Sequence, residues 1–380
     1  MLRSERVRNF LYQALLLAAV VGIGWWLVSN TLHNLQTRQI QVGFGFLSRE
    51  AGFEIAEKAI AYEPTDSYGR AFLVGLVNTL HVAALGIVFA TLLGTLIGIA
   101  RLSPNWLVST LASGYVEVMR NVPLLLQLFV WYGVFTELLP SVREAIEIGG
   151  WLFVSQRGFR VAWPAEHAGW SAAGWALVAA IALALAWRTY ARRRQLATGR
   201  QLPVGLPSLA LLIGLPLAAW AVMGAPTAIE TPKLSGFDFQ GGKVILPEFT
   251  ALLLGLSTYT AAFIAEVVRA GILAVDKGQG EAAMALGLTP GQRLRLVTLP
   301  QALRVIIPPM TSQYLNLAKN SSLAVAIGYP DLVAIANTTM NQTGQAIEAI
   351  AILMAVYLSI SLAISLFMNW YNDRVRLVER

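Results

Sequence analysis

Apolar residues in this chain come in long uncharged blocks, not in the short periodic patches of a soluble protein. The first block runs from Asn9 to Thr37, the second from Ala71 to Ala100, the third from Asn121 to Thr136 and the last from Ala349 to Asn372. Four more lie within Ala168–Trp187, Leu202–Val222, Phe249–Ala274 and about Val305–Gly328. A helix of roughly 20 apolar residues crosses a bilayer core of about 30 Å. The pattern therefore predicts an all-α integral membrane protein with about eight spans. Pro203, Pro207 and Pro216 predict a late start or a kink in the fifth span. Pro308, Pro309 and the polar run Lys319-Asn320-Ser321-Ser322 predict an interruption of the seventh. Between the spans, an interfacial helix is expected from Asn105, and a helix along the membrane surface over Phe46–Ala61. The segments 141–167 and 223–247 read as polar external loops.

Composition agrees with this pattern. The 380 residues are 56% hydrophobic and only 13% charged, about half the charge of a soluble domain. The net charge of +7 sits in clusters: the basic N-terminus, Arg188 with Arg192, Arg193 and Arg194, the loop after Ala274, and the C-terminal tail. Lys and Arg collect in loops that stay in the cytoplasm. Eight spans bring all four clusters to that side, with both termini cytoplasmic. This distribution calls for membrane lipid rather than nucleic acid as the basic chain's partner. Cysteine is absent, which excludes disulfides, thiolate catalysis and cysteine metal sites. His33, His81 and His167 are scattered, with no metal-binding spacing, so no metal site is expected. The string Gly236–Val244 is a near miss for a phosphate-binding loop: the Gly-to-Lys spacing is one residue off, and Val244 stands where a hydroxyl would hold magnesium. The chain is not expected to hydrolyse ATP itself.

One loop is unlike its surroundings. Glu281–Pro300 carries arginines, two prolines and two glycines between two apolar spans. Asp276 and Gln279 have the spacing of a capping box, and Thr289 and Gln292 repeat it, with Pro290 at the first helical position. Two short helices with a bend at Gly287 are predicted. Ala282, Ala283 and Ala285 would give the first helix a small-residue face that another protein can approach closely.

Two other groups of residues are candidates for function. Glu117 and Arg120, and again Glu266 and Arg269, share the i, i+3 spacing that lets two charges pair on one helix face. Both pairs lie near the inner boundary, so they are either structural pairs or parts of an inner gate. Deeper in the spans lie Asn78, Thr79, Gln127, Thr258, Tyr259, Thr260, Lys319, Asn320, Ser321 and Ser322. Unpaired polar groups are costly in lipid, so these side chains are expected to face one another or a water-filled path. Together Asn78, Thr79, Gln127, Thr260 and Lys319–Ser322 read as a pathway lining, in which Lys319 or hydroxyl donors could meet a carboxylate. Singly, each reads as a hydrogen bond between helices.

The order Glu-Ala-Ala, three residues, Gly287, nine residues, Val297, one residue, Leu299-Pro300 resembles the cytoplasmic coupling loop of ABC importer membrane subunits. The blocks around Asn78, Arg120–Gln127, Tyr259–Arg269 and Lys319–Leu323 resemble successive blocks of the polar amino acid importer permeases. Together they cover most of residues 68–370. The resemblance implies a five-span permease core, with an N-terminal span and a two-span hairpin as additions. The expected parts are 1–70 (span and external segment), 71–140 (first core part), 141–247 (inserted segments with the hairpin) and 248–380 (second core part, with the coupling loop 276–300). Such an enlarged chain ending in Leu-Val-Glu-Arg is similar to the broad-specificity L-amino acid permeases.

The function this implies is a bacterial inner-membrane permease subunit of an ATP-driven importer of polar or general L-amino acids, not an enzyme. Glu281, Ala282, Ala283 and Gly287 would form the coupling surface. The implied partners are a second related permease chain, two ATP-binding subunits and an external amino acid-binding protein. The chain itself would bind no cofactor, since ATP and magnesium belong to the partner ATPase. A secondary transporter driven by an ion gradient is the alternative, because it too uses broken helices and midplane polar residues. A membrane enzyme would need a clustered nucleophile, base or metal set, which the sequence does not offer.

Overall fold

A computed structural model describes residues 5–37 and 43–375; the ends of the two basic termini, including the Leu-Val-Glu-Arg tail, lie outside the described residues. The chain divides into two compact units, 1–132 with 251–380, and 133–250. The second contains the expected insertion 141–247 and begins earlier, at Gly133.

In the first unit, α1 (Glu5–Thr37) is apolar all round and exposed along Leu11–Thr31. A short 3₁₀ turn, Phe44–Ser48, then leads into an irregular segment. The surface helix expected over Phe46–Ala61 does not extend past Ser48. The segment instead folds back on itself: Glu50 bridges Ser67, Ala51 N–H donates to Asp66, and Gly52 N–H donates to Pro64. Phe46, Ile55 and Tyr62 are buried against Tyr68, Phe72, Leu332 and Ile335. Burial, then the carboxylates of Asp66 and Glu54, push the Tyr62 hydroxyl above its ordinary pKa, and that hydroxyl donates to Phe53 O at 2.9 Å.

α2 (Tyr68–Ala100) starts on a Ser67 cap and is uncharged beyond its first turn. α3 (Trp106–Asn121), the expected interfacial helix, is capped by Asn105. It meets α4 (Leu124–Gly133) at a bend of 106°. α7 (Pro247–Leu273) leads to α8 (Lys277–Ala285) and α9 (Pro290–Arg293). A π-helical turn, Leu294–Thr298, opens into α10 (Leu299–Asn320). A 3₁₀ stretch, Ser321–Ile327, precedes α11 (Leu332–Thr343), and α12 (Ala346–Val375) closes the unit.

Of the two interruptions expected in the seventh span, the one at the prolines is corrected and the one at the polar run 319–322 is found. Pro308 and Pro309 do not interrupt α10, which is helical through both; the ring's φ is a helical value, and the lost hydrogen bond and the crowding of the carbonyl four residues back are absorbed without ending the helix. The break comes at Ser321, where the hydroxyls of Ser321 and Ser322 donate to Ala318 O and Lys319 O at 2.8 and 2.7 Å, competing with the helix for its own carbonyls. The eight expected crossings thus correspond to six continuous helices and two bent pairs, one of them α10 with α11.

The second unit holds α5 (Ala168–Thr198) and α6 (Gly205–Val222), an antiparallel helical hairpin. α6 starts late, as expected, and carries Pro216 inside it. The segments read as loops contain strands. β1 (Ile146–Ile148), β2 (Leu152–Ser155), β3 (Gly158–Val161) and β8 (Lys243–Ile245) form one antiparallel sheet in that order. β4 (Trp163–Pro164) pairs with β5 (Ile229–Glu230), and β6 (Lys233–Ser235) with β7 (Asp238–Gln240). Asp238 lies 3.4 and 3.5 Å from Arg157 and Arg160, and Phe239 packs on Phe153 with ring centroids 4.8 Å apart.

Close backbone approach organises the first unit. A Cβ on Gly94 would stand 2.7 Å from Ala261 O and from Ile264 Cβ, and one on Gly98 2.7 Å from Ala265 O. Small residues let helices in lipid approach this closely. Gly94→Val should therefore cost about 1–3 kcal/mol through overpacking. Gly114 on α3 has nothing within 4 Å of its Cβ position, so Gly114→Ala should be neutral or slightly stabilising. Thermal unfolding of the detergent-purified chains checks the contrast.

Candidate functional site

The hairpin between α7 and α10 is built by local hydrogen bonds. Asp276 caps α8 by accepting from Gly278 N–H at 2.6 Å, not through a capping box with Gln279; the Gln279 side chain instead accepts from Gln301 at 3.2 Å. Gly287 takes φ +77° at the end of α8. Its N–H donates to Met284 O, and Leu288 N–H donates to Ala283 O, the paired bonds of a Schellman turn. The second capping box forms as expected, with Thr289 and Gln292 bonded reciprocally. Ala283 is buried within the hairpin, whereas Glu281, Ala282, Ala285, Leu286 and Gly287 are exposed. Leu286 is 82% and Met284 53% exposed, so the free face of the turn is apolar. The hairpin is rooted where Gly271 of α7 lies against Ile306 and Ala302 of α10.

Above this root sits a cluster of three charges. Glu266 accepts from Arg269 at 2.6 Å and is also bonded by Arg101, at the end of α2. Arg101 reaches Ser113 of α3 at 3.3 Å as well. One carboxylate thus ties α2, α3 and α7 together. The echoing pair does not form: among the described residues no salt bridge joins Glu117 to Arg120. The Arg120 guanidinium lies over the Phe263 ring of α7 at 5.3 Å instead. A cation on an aromatic face needs no carboxylate partner, and this one fastens α3 to α7.

The deeper polar residues fall into two sets. Asn78 is fully buried and spent on backbone: its Nδ2 donates to Glu57 O and Pro330 O, and its Oδ1 accepts from Ala59 N–H. Thr79 Oγ1 donates to Gly75 O and accepts from Leu332 N–H. Gln127 Nε2 donates to Met119 O and Val122 O, both at 2.9 Å, closing the bend between α3 and α4. Ser321 and Thr260 are buried. Lys319 is exposed, and Asn320 and Ser322 are half-buried at the break after α10. Tyr115 donates to Thr258 O at 2.6 Å, and Tyr259 stacks on Phe263.

Known proteins place this architecture. Residues 192–377 match the family model of the inner membrane component of binding-protein-dependent transport systems. The chain is 52% identical to the permease protein YhdX of Escherichia coli (strain K12), over 99% of this chain and 96% of that one. It is 49% identical to the general L-amino acid transport system permease protein AapQ of Rhizobium johnstonii, over 99% and 94%. It is 42% identical to the glutamate/glutamine/aspartate/asparagine transport system permease protein BztB of Rhodobacter capsulatus, over 99% and 96%. The chain belongs to the amino-acid ABC transporter permeases. It is a multi-pass membrane subunit of an amino-acid importer, and the ATPase of such a system is a separate chain.

Within this permease the expected site residues separate clearly. Asn78, Thr79, Gln127 and Ser321 hold backbone at breaks and bends. Lys319, Asn320 and Ser322 stay accessible beside one break. Ala283 faces inward, unlike Glu281, Ala282 and Gly287. Sequence spacing missed Arg101, whose partner lies 165 positions away, and Asp331, a fully buried carboxylate that caps α11. An aspartate directly after Pro330 and before the apolar run Leu332–Ala336 is a helix-start signal that could have found it. Because Glu266 serves two arginines, Glu266→Gln should lower the permease's melting temperature more than Arg269→Ala. A double-mutant cycle of Glu266 with Arg101 should give a coupling of about 0.5–3 kcal/mol.

Proposed function

We propose that this permease pairs with a second, related permease chain, stands on two ATP-binding subunits and receives polar or general L-amino acids from an external binding protein. Residues 276–300 form the coupling element, with Glu281, Ala282, Leu286 and Gly287 against a groove of one ATP-binding subunit. ATP and magnesium are used there and not by this chain. The hairpin faces the cytoplasm, as do both termini.

The observation that carries this reading is the exposed apolar turn of a well-capped hairpin. Leu286 is offered outward on a rigid Schellman turn, and the hairpin grows from two helices in direct contact at Gly271. A push on the turn would move α7 and α10 as one body, and the close contacts at Gly94 and Gly98 would carry α2 with them. Lys319, Asn320 and Ser322 line the path, and Glu117, Arg120, Glu266 and Arg269 lie towards its inner end. The Glu266 cluster holds α2, α3 and α7 together there. The substrate class is supported by what the printed names of AapQ and BztB say of those relatives. Apolar side chains exposed along α2, among them Phe89, Leu92 and Leu96, supply surface for lipid or for the second permease.

The test uses the turn. Gly287→Val forces a β-branched residue into φ +77°, at a cost of order 1–3 kcal/mol. Leu286→Asp charges the free face without straining it. Both variants should reach the membrane in normal amount, lose ATP-dependent uptake and co-purify poorly with the ATP-binding subunit. Uptake at the normal rate in both would show that the turn is not the coupler.

A further inference from the structure

Four elements meet at one buried polar point beside the break that follows α10. Asp331 is fully buried. Its Oδ1 accepts from Ala334 N–H at 2.8 Å, which caps α11, but its Oδ2 has no hydrogen-bond partner. Tyr357 of α12 brings its hydroxyl beside Asp331, Ser321 and Thr79, yet that hydroxyl makes no well-aligned hydrogen bond. Buried polar groups are rarely left in this condition, and an ionisable side chain inside a membrane protein marks a functional position by default. The surrounding hydroxyls have already spent their protons, so none of them can donate to the free carboxylate oxygen. Thr79 is held by Gly75 O and Leu332 N–H, Ser321 by Ala318 O, and Tyr329 donates to Asn78 O at 3.3 Å. Asp331 and Tyr357 are thus left to complete each other.

We propose that Asp331 and Tyr357 form a latch between the start of α11 and α12, closing in one state of the transport cycle and opening in another, and that it positions the Lys319–Ser322 turn. The two are positioning residues: Asp331 is fully buried and Tyr357 half-buried, and both act through the turn that ends nine residues before Asp331. A bond between the phenol and the free carboxylate oxygen satisfies both groups at once and pins the 3₁₀ stretch against α2 and α12. Its absence frees the stretch to shift while the Asp331 cap of α11 stays intact. The proposal rests on the reading that Lys319–Ser322 lines the path.

The absence of cysteine makes the test direct. Ser322→Cys is labelled with a small thiol reagent in the assembled transporter, in parent, Tyr357→Phe and Asp331→Asn backgrounds. Loss of one buried hydrogen bond should change the labelling rate by about five-fold in both backgrounds. Ser359→Cys, on the exposed side of α12, should react equally in all three. A Ser322→Cys rate unchanged by Tyr357→Phe overturns the latch, and so does a change seen only with Asp331→Asn, since that would reflect the cap alone. Saturating amino acid should slow labelling of Ser322→Cys in the parent. Failure of that protection alone sinks the pathway reading and not the latch.

Discussion

A backbone that stops being helical inside a bilayer must find new partners for its N–H and C=O groups, because lipid offers none. Several buried polar side chains in the first unit answer that demand. Gln127 supplies two hydrogen bonds where α3 turns through 106° into α4. Asn78 and Thr79 supply them where the chain passes from the 3₁₀ stretch into α11. Asp331 caps that helix from inside the protein. A permease needs such breaks to expose polar surface in its middle, and the sequence around each break provides the amide, hydroxyl or carboxylate that makes it affordable.

The second constraint is distance. α7 touches the backbone of α2 at Gly94 and Gly98, and packs against Ile306 and Ala302 of α10 at Gly271. Contacts this close transmit displacement because little slack is left between the helices. The Glu266 cluster sits at the same level and adds directional bonds. Stiffness is therefore concentrated in α2, α7 and α10, whereas at the turn Lys319–Ser322 the helix gives way to a 3₁₀ stretch.

The sequence made the long helices legible because length and apolarity need no tertiary context. α2 and α12 fall on the uncharged blocks and α7 on a mostly apolar one, and the hairpin's caps were readable from Thr289, Gln292 and Gly287. What it hid depended on remote partners or on competition. Glu117 and Arg120 have the spacing of a pair, yet Arg120 is taken by Phe263. Glu266 does pair with Arg269, but Arg101 joins them from another helix. Pro308 and Pro309 were read as a break together with the polar run 319–322, and only the run is one. α11 was not anticipated: Leu332–Thr343 is short and half polar, and its helicity rests on the Asp331 cap and burial of Leu332, Ile335 and Ala336. The strands of 146–161 and 243–245 are three or four residues long, too short for alternation to stand out.

The most direct measurement is of which side of the membrane Leu286 faces and what covers it. Leu286→Cys in this cysteine-free chain should react with an impermeant thiol reagent only from the cytoplasmic side, and should be shielded once the ATP-binding subunit is present. Reaction from the outer side, or equal reaction with and without that subunit, would contradict the account.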